Sequence, residues 1–458
     1  MKKYILLFFI ATNLASANVV LPNIFSDNMV LQRNSEVKIW GWGSPKEEIT
    51  IFTSWDNKEY KTTPDNEANW NLMLKTPEAG GPFEIIIKGY NQIILKNILI
   101  GEVWLCSGQS NMEMNASWGI TNGEEEIKLA SHPNIRFFSI PKLTSTTSQD
   151  NIPANWEQCT PETMQYFSAV AYFFALHLQD DLKNVPIGLI NSSWGGTPAE
   201  IWIPEATIKN NSELTASASK LSTTEYGPNL PGRAFNAMIH PLTNFKIAGT
   251  IWYQGESNVG AQNYEKTLSS LITSWREKWN QDFPFYFVQI APYQYGEDHF
   301  EGVKIQNAQR KTLQLVQNTG MASTSDISTT DDIHPKDKKS VGNRLAEIAL
   351  KKHYKTRNTI AEGPLYQDIE IKRNTISITF ENADGLHFKN KRSTLFEVAG
   401  TDNIFHPAEA KIKNNRIEVT SKFVKEPKKV RFAWKNTAQS DVFNSANLPA
   451  SAFISDTN

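Results

Sequence analysis

The sequence predicts an α/β protein in which a parallel sheet lies between two helical layers, a three-layer α/β/α core, with N- and C-terminal β-sandwich-like regions flanking it in the chain. Three observations lead there. From Ile98 to Tyr354, apolar runs of strand length alternate with stretches of helical periodicity, the mark of repeated β/α units. On either side, short runs of period two are broken by Gly, Pro and Asn, as in antiparallel sheets. At 458 residues the chain exceeds what one hydrophobic core holds. The expected divisions are 1–17, 18–96, 97–358 and 359–458.

The first division reads as a signal peptide. Lys2 and Lys3 precede the apolar run from Tyr4 to Ala11, and Ala15-Ser16-Ala17 is a small-x-small cleavage site, so export to a periplasmic or secreted location is expected. No later stretch approaches the roughly 18 to 20 apolar residues that span a bilayer. A formal net charge of −2 provides no basic field for nucleic acid or an anionic membrane. The thirteen tryptophans suit a protein that stacks on sugar faces, and serve equally well as core fillers. Cys106 and Cys159 can pair in an oxidising compartment or stay buried as small hydrophobes. Two thiols without clustered histidines do not make a structural zinc site, and no motif calls for a metal or cofactor.

Taken in order, residues 18–96 carry the alternating runs Glu36 to Gly43, Ile49 to Phe52 and Phe83 to Lys88, separated by Pro45, Pro64 and Gly80-Gly81-Pro82. The central division opens on the apolar strand Ile98 to Leu105. Helical spacing of Val170, Phe173, Phe174 and Leu178 predicts a helix over 168–182, followed by a buried strand over 186–191. Strands are expected over 246–253, 284–290 and 321–327, with helices over 264–279, 303–316 and 336–354. The polar stretch 207–230 reads as a long excursion. From Gly363 clean alternation returns, as in Thr375 to Phe380 and Val430 to Trp434.

Ser110 is the candidate nucleophile. It follows the strand and the small-residue turn Ser107-Gly108-Gln109, where a β-to-α junction exposes a side chain beside the free N–H groups of a helix start. A serine there also serves as an N-cap. A hydroxyl nucleophile needs a base, and the base needs a group to orient it. His334 lies in Thr329-Thr330-Asp331-Asp332-Ile333-His334-Pro335, between the last strand and last helix of the β/α series, with Asp331 three residues earlier. Asp332 is read as a helix cap. His240, near Arg233, has no carboxylate at a useful spacing and is the alternative base or a pocket residue.

These residues resemble the SGNH (GDSL-like) esterases, in their sialate O-acetylesterase-like branch. The resemblance rests on Gly108-Gln109-Ser110-Asn111, Asp331-x-x-His334 and Gln254-Gly255-Glu256-Ser257-Asn258, together with Asn191 to Thr197 and Ala237 to Pro241. It implies an SGNH-type fold and a Ser110, His334, Asp331 triad that removes acetyl groups from sugar hydroxyls. It also implies an oxyanion hole drawn from the Ser110 N–H, a Gly195 or Gly196 N–H, and a side-chain amide. The simplest family pattern has Gly-x-Asn-Asp; here Ser257 stands two after the glycine, so Gln254 or Asn258 must supply the amide. Gln109, Asn111, Glu256, Arg233 and His240 are expected to touch substrate or support the site. Trp194, Trp202 and Trp252 are expected to narrow the acyl pocket to acetate.

Two other readings compete. A glycoside hydrolase could use paired carboxylates such as Glu256 and Asp331, leaving Ser110 and His334 without roles. A non-catalytic protein could bind sugar through exposed tryptophans. Within the esterase reading, acetylated sialic acid and acetylated plant polysaccharide such as xylan or xyloglucan both fit as substrates.

Overall fold

The computed structural model describes residues 18–221, 225–296 and 300–455; the signal peptide expected over 1–17 lies outside them. The strand Gln92–Gly108 organises the chain. Its beginning pairs antiparallel with Gly80–Lys88, and its end forms the middle of a parallel sheet. The division expected between residues 96 and 97 therefore falls inside one continuous strand. Across the sheet the order is Thr319–Ala322, Phe285–Val288, Gly249–Tyr253, Gln92–Gly108, Ile187–Ser193, His132–Ser139 and Trp156–Cys159. All neighbours are parallel except the last pair.

The central strand reads as a near-continuous apolar run because both its faces are buried. Val103 and Leu105 enter a core shared with Leu268, Leu271 and Trp275 of the helix Tyr264–Trp279 and Ile305 of the helix Glu301–Leu315. Trp104 and Cys106 enter the opposite core, with Phe173, Phe174 and Leu178 of Ala169–Asp181 and Leu345 and Ile348 of Lys338–Ala349. Those two cores make the three layers. The helix Tyr264–Trp279 matches its expected bounds; Ala169–Asp181 starts where the Ser168 side chain accepts from the Ala171 N–H at 3.2 Å.

Some local readings differ. The 207–230 excursion contains a helix, Ser212–Ala218, and is pinned by the buried Ile208 and Leu214, two apolar anchors in a polar stretch. Cys106 and Cys159 are free and buried. Their strands stand three places apart in the sheet, about 14 Å at the usual strand spacing, whereas a disulfide needs Cα atoms within about 7 Å.

In the C-terminal region, the sheet of Leu365–Lys372, Thr375–Glu381, Arg416–Thr420 and Glu409–Lys413 and that of His406–Pro407, Phe396–Ala399, Lys429–Phe432 and Phe453–Ile454 share a core around Ile376, Val419, Phe432 and Phe453. Near the N-terminus, Glu36–Trp42 pairs with Asn69–Lys75 as a separate two-stranded sheet.

Candidate active site

The sheet order reverses at the central strand. The chain places His132–Ser139 and Ile187–Ser193 on one side of it and Gly249–Tyr253 onward on the other, and such a switch point opens a crevice at the carboxyl ends of the strands. The helix Ser110–Glu113 starts there. Gly108 makes the turn with φ of 139°, and a Cβ on it would stand 2.1 Å from the Tyr253 carbonyl oxygen, so only glycine passes so close to the neighbouring strand. The half-buried Ser110 places Oγ 2.9 Å from Nε2 of His334, two residues that are 224 positions apart in the chain.

Two of the hydrogen bonds that hold the loop carrying His334 act on His334 itself and the residue before it. Asp332 Oδ1 accepts the His334 backbone N–H at 2.8 Å, an Asx turn, and Asn111 Nδ2 donates to the Ile333 carbonyl at 3.0 Å. This geometry departs from the expected role of Asp331. As Asp332 folds inward over the loop, Asp331 is left exposed, and among the described residues no hydrogen bond joins it to His334. Asp332 is the carboxylate whose charge acts on the imidazole. His334 is pulled below its ordinary pKa, chiefly by burial and then by the charge of Lys338, and Asp332 works against both.

Behind the pair lies a buried polar cluster. Asn111 Nδ2 donates to Glu256 Oε1 at 2.6 Å, and its Oδ1 accepts from Lys338 Nζ at 2.6 Å. Together with the Ile333 bond, this uses every donor of the Asn111 amide. Burial pushes Glu256 up to about 7, opposed by Asn111 and Lys338, and burial pushes Lys338 down to about 7, opposed by Glu256, Asp332 and Asp337. Gln109 Oε1 accepts the N–H groups of Gly255 and Ser257 at 3.3 and 3.1 Å, tying the Ser110 turn to the Glu256 turn. Of the residues expected to support the site, Gln109, Asn111 and Glu256 gather here.

Three expected oxyanion donors are engaged elsewhere. Gly195 gives its N–H to Glu113 Oε2 at 2.7 Å, and Glu113 also pairs with Lys142 at 2.6 Å. Gln254 donates to Asn258 Oδ1 at 2.7 Å and to the Thr197 carbonyl at 3.2 Å. Asn258 donates to the buried Glu200 at 2.9 Å. These amides fasten the loops around the site; the Gly195 N–H and both Gln254 amide protons are committed to protein acceptors, and Asn258 commits one of its two. Among the described residues the N–H groups of Ser110 and Gly196 and the Nε2 of Gln109 have no protein acceptor.

Among the described residues neither Arg233 nor His240 is hydrogen-bonded to Ser110 or His334. Arg233 lines a cleft of about 410 Å³ with Thr144, Ser145 and Asn229, and His240 lines another with Trp40 and Trp42. Trp202 and Trp252 are fully buried, packed edge to face with ring centroids 6.2 Å apart, and do not narrow an acyl pocket; Trp194 is partly exposed, its indole donating to the Tyr226 carbonyl at 3.1 Å. Sequence reasoning missed Lys338, Glu113 and Lys142. Lys338 carried one signal: a lysine in the first turn of a helix opposes the helix dipole, so something else must hold it there.

The model of the carbohydrate esterase, sialic acid-specific acetylesterase family matches residues 100–351. The chain is 30% identical to human sialate O-acetylesterase over 416 residues, covering 82% of this chain and 78% of that protein. It is 29% identical to the mouse sialate O-acetylesterase over 441 residues, covering 82% and 81%. The crystal structure of a carbohydrate acetylesterase from Xanthomonas citri superposes with a TM-score of 0.87 at 32% identity, covering 96% of this chain and all of that one. The chain thus belongs to the sialic acid-specific acetylesterase family of carbohydrate esterases and is a carboxylic ester hydrolase.

Proposed function

We propose that this chain is an exported serine esterase that removes O-acetyl groups from sugar hydroxyls, with an O-acetylated sialic acid as its substrate, and that Ser110 and His334 carry the chemistry. The observation behind this reading is the 2.9 Å contact between Ser110 Oγ and His334 Nε2 at the switch point of the sheet. In the neutral imidazole, Nε2 accepts the Ser110 proton as Oγ attacks the acetyl carbonyl. The Ser110 and Gly196 N–H groups face the developing oxyanion, each worth about 3 kcal/mol of barrier, with the Gln109 amide as third donor. As the C–O bond to the sugar breaks, the imidazolium returns the proton to the leaving alkoxide. His334 then deprotonates water, which attacks the acetyl-serine; the Oγ–acyl bond breaks, the imidazolium returns the proton to Ser110 Oγ, and acetate leaves.

Asp332 is the carboxylate that stabilises the imidazolium in this scheme, through its charge and its hold on the His334 backbone. The depressed pKa of His334 keeps the base neutral and available at neutral pH. Export rests on the residues Lys2 to Ala17. Acetate release from O-acetylated mucin compared with acetylated xylan tests the substrate: faster release from mucin supports the sialate reading, and faster release from xylan replaces it with the plant-polysaccharide one.

A further inference from the structure

The strand Glu36–Trp42 places Lys38, Trp40 and Trp42 on one face, and its partner places Asn71 opposite Trp40 and Asn69 opposite Trp42. Over this face lie Asp150 and His240, closing a cleft of about 310 Å³, a volume in the range of small-molecule sites. Trp40 packs edge-on against Phe25 at 4.5 Å and is part of the wall. Trp42 differs, because among the described residues its ring has no aromatic neighbour and it is absent from the packed core.

Most of the polar groups around Trp42 have, among the described residues, no protein partner, and two are engaged. Among the described residues the Trp42 indole N–H, the Asp150 carboxylate and the Asn69 and Asn71 side-chain amides have no protein partner. His240 Nδ1 sits 3.0 Å from the Gln149 carbonyl. That oxygen can only accept, so Nδ1 carries the proton and Nε2 of the neutral ring is left as an acceptor. Lys38 is committed to Asn244 Oδ1 at 3.0 Å. One ammonium and one carboxylate leave the cleft formally neutral.

We propose that this cleft is a second, non-catalytic carbohydrate site that takes a neutral pyranose unit of the glycan bearing the acetylated sugar. A pyranose offers a face of C–H bonds, slightly positive and apolar, which matches the negative face of the Trp42 indole. Its rim of hydroxyls both donates and accepts, which matches a set containing a lone donor (indole N–H), acceptors (Asp150, His240 Nε2) and two amides that do both.

The cleft is also joined to the catalytic crevice. Lys142, paired with Glu113 three residues after Ser110, begins a segment that runs alongside residues 233–240, with Ser145 N–H donating to the Arg233 carbonyl at 3.1 Å and Gln149 N–H to the Asn236 carbonyl at 2.9 Å. Eight residues separate Lys142 from Asp150, so the cleft lies at most about 28 Å from the Glu113 pair, within reach of an oligosaccharide. Thr144 and Ser145 of this segment and Arg233 beside it line a separate cleft of their own. The inference rests on the carbohydrate-esterase reading for its consequence in turnover, and stands separately as a binding claim.

The test is calorimetric titration of the full chain with xylohexaose, cellohexaose and a trimer of N-acetyllactosamine, for the wild type, Trp42→Ala and Asp150→Ala, each checked for native melting. The expected result is saturable binding of at least one hexasaccharide, weakened about tenfold or more by Trp42→Ala, with Asp150→Ala, an exposed position, weakening it severalfold and deciding the matter if Trp42→Ala does not fold. On an acetylated form of the bound glycan, kcat/KM relative to that on nitrophenyl acetate falls about tenfold in Trp42→Ala. Absence of binding by the wild type, or equal affinity in the variants, overturns the proposal. Failure of the esterase reading would look different: no turnover of nitrophenyl acetate by the wild type, whatever the titrations give.

Discussion

The side-chain amide of Asn111 donates to the carbonyl of Ile333 at 3.0 Å, so the residue after Ser110 holds the residue before His334. The same amide bridges Glu256 and Lys338, two groups with almost no contact with solvent. Asn111→Ala leaves the buried Glu256 and Lys338 and the partly buried Ile333 carbonyl without this partner, each buried group costing about 1 to 3 kcal/mol. We expect a lower melting temperature and a kcat reduced roughly 10- to 100-fold, with KM changed less. Steady-state kinetics with thermal melting checks this; wild-type kcat in a folded Asn111→Ala contradicts it.

The pH dependence carries a definite sign. His334 must be neutral to accept the Ser110 proton, and burial and Lys338 hold it below the ordinary histidine value of about 6.5. The acid limb of kcat/KM therefore has its midpoint below that value. Lys338→Met removes a cation that disfavours the imidazolium, and the limb moves to higher pH. The groups that face this locus are Asp332 and Lys338, with Glu256 and Asp337 acting through Lys338. A limb that moves to lower pH in Lys338→Met would refute the assignment. Lys338→Met with Glu256→Gln removes both members of the buried pair, and is expected to recover stability relative to Lys338→Met alone.

Asp332 and Asp331 are separable. Asp332→Asn removes the anion that favours the imidazolium, so it shifts the acid limb to lower pH and lowers kcat. We expect its loss in kcat to exceed that of Asp331→Asn at least about tenfold, measured side by side on nitrophenyl acetate. The reverse order would return the orienting role to Asp331.

Gly108→Ala tests the nucleophile turn as a packing constraint. The added carbon would lie 2.1 Å from the Tyr253 carbonyl oxygen in a backbone conformation that disfavours side chains. The expected loss exceeds about 3 kcal/mol and is read from denaturant unfolding; a loss below 1 kcal/mol would show that the two strands can part.

Much of this site was legible in the sequence, for identifiable reasons. Ser110 and His334 announce themselves through position, Ser110 just past the carboxyl end of a strand and His334 in the loop between the last strand and the last helix of the β/α series, and the buried strands and amphipathic helices show their periodicity directly. The partners of Gln254, Asn258 and Gly195 were not legible. An amide in a motif looks the same whether it faces substrate or fastens a loop, and only the three-dimensional neighbours (Thr197, Glu200 and Glu113) decide. The choice between Asp331 and Asp332 turned on one Asx turn, a local geometry that two adjacent aspartates leave open. Lys338 was hidden because a lysine beside other lysines reads as surface charge. The continuity of Gln92–Gly108 across an expected boundary was hidden because the change in texture at Ile98 marks a change in partner strands while the strand itself runs on.

The central claim is that Ser110 is the nucleophile, and Ser110→Ala tests it most directly by acetate release from nitrophenyl acetate and from O-acetylated sialic acid. The account predicts a loss in kcat of about 10⁴-fold or more, with melting unchanged and no acetyl group on the variant by intact-mass measurement, whereas the wild type carries a transient acetyl at Ser110. Turnover within tenfold of the wild type in a folded Ser110→Ala would contradict it.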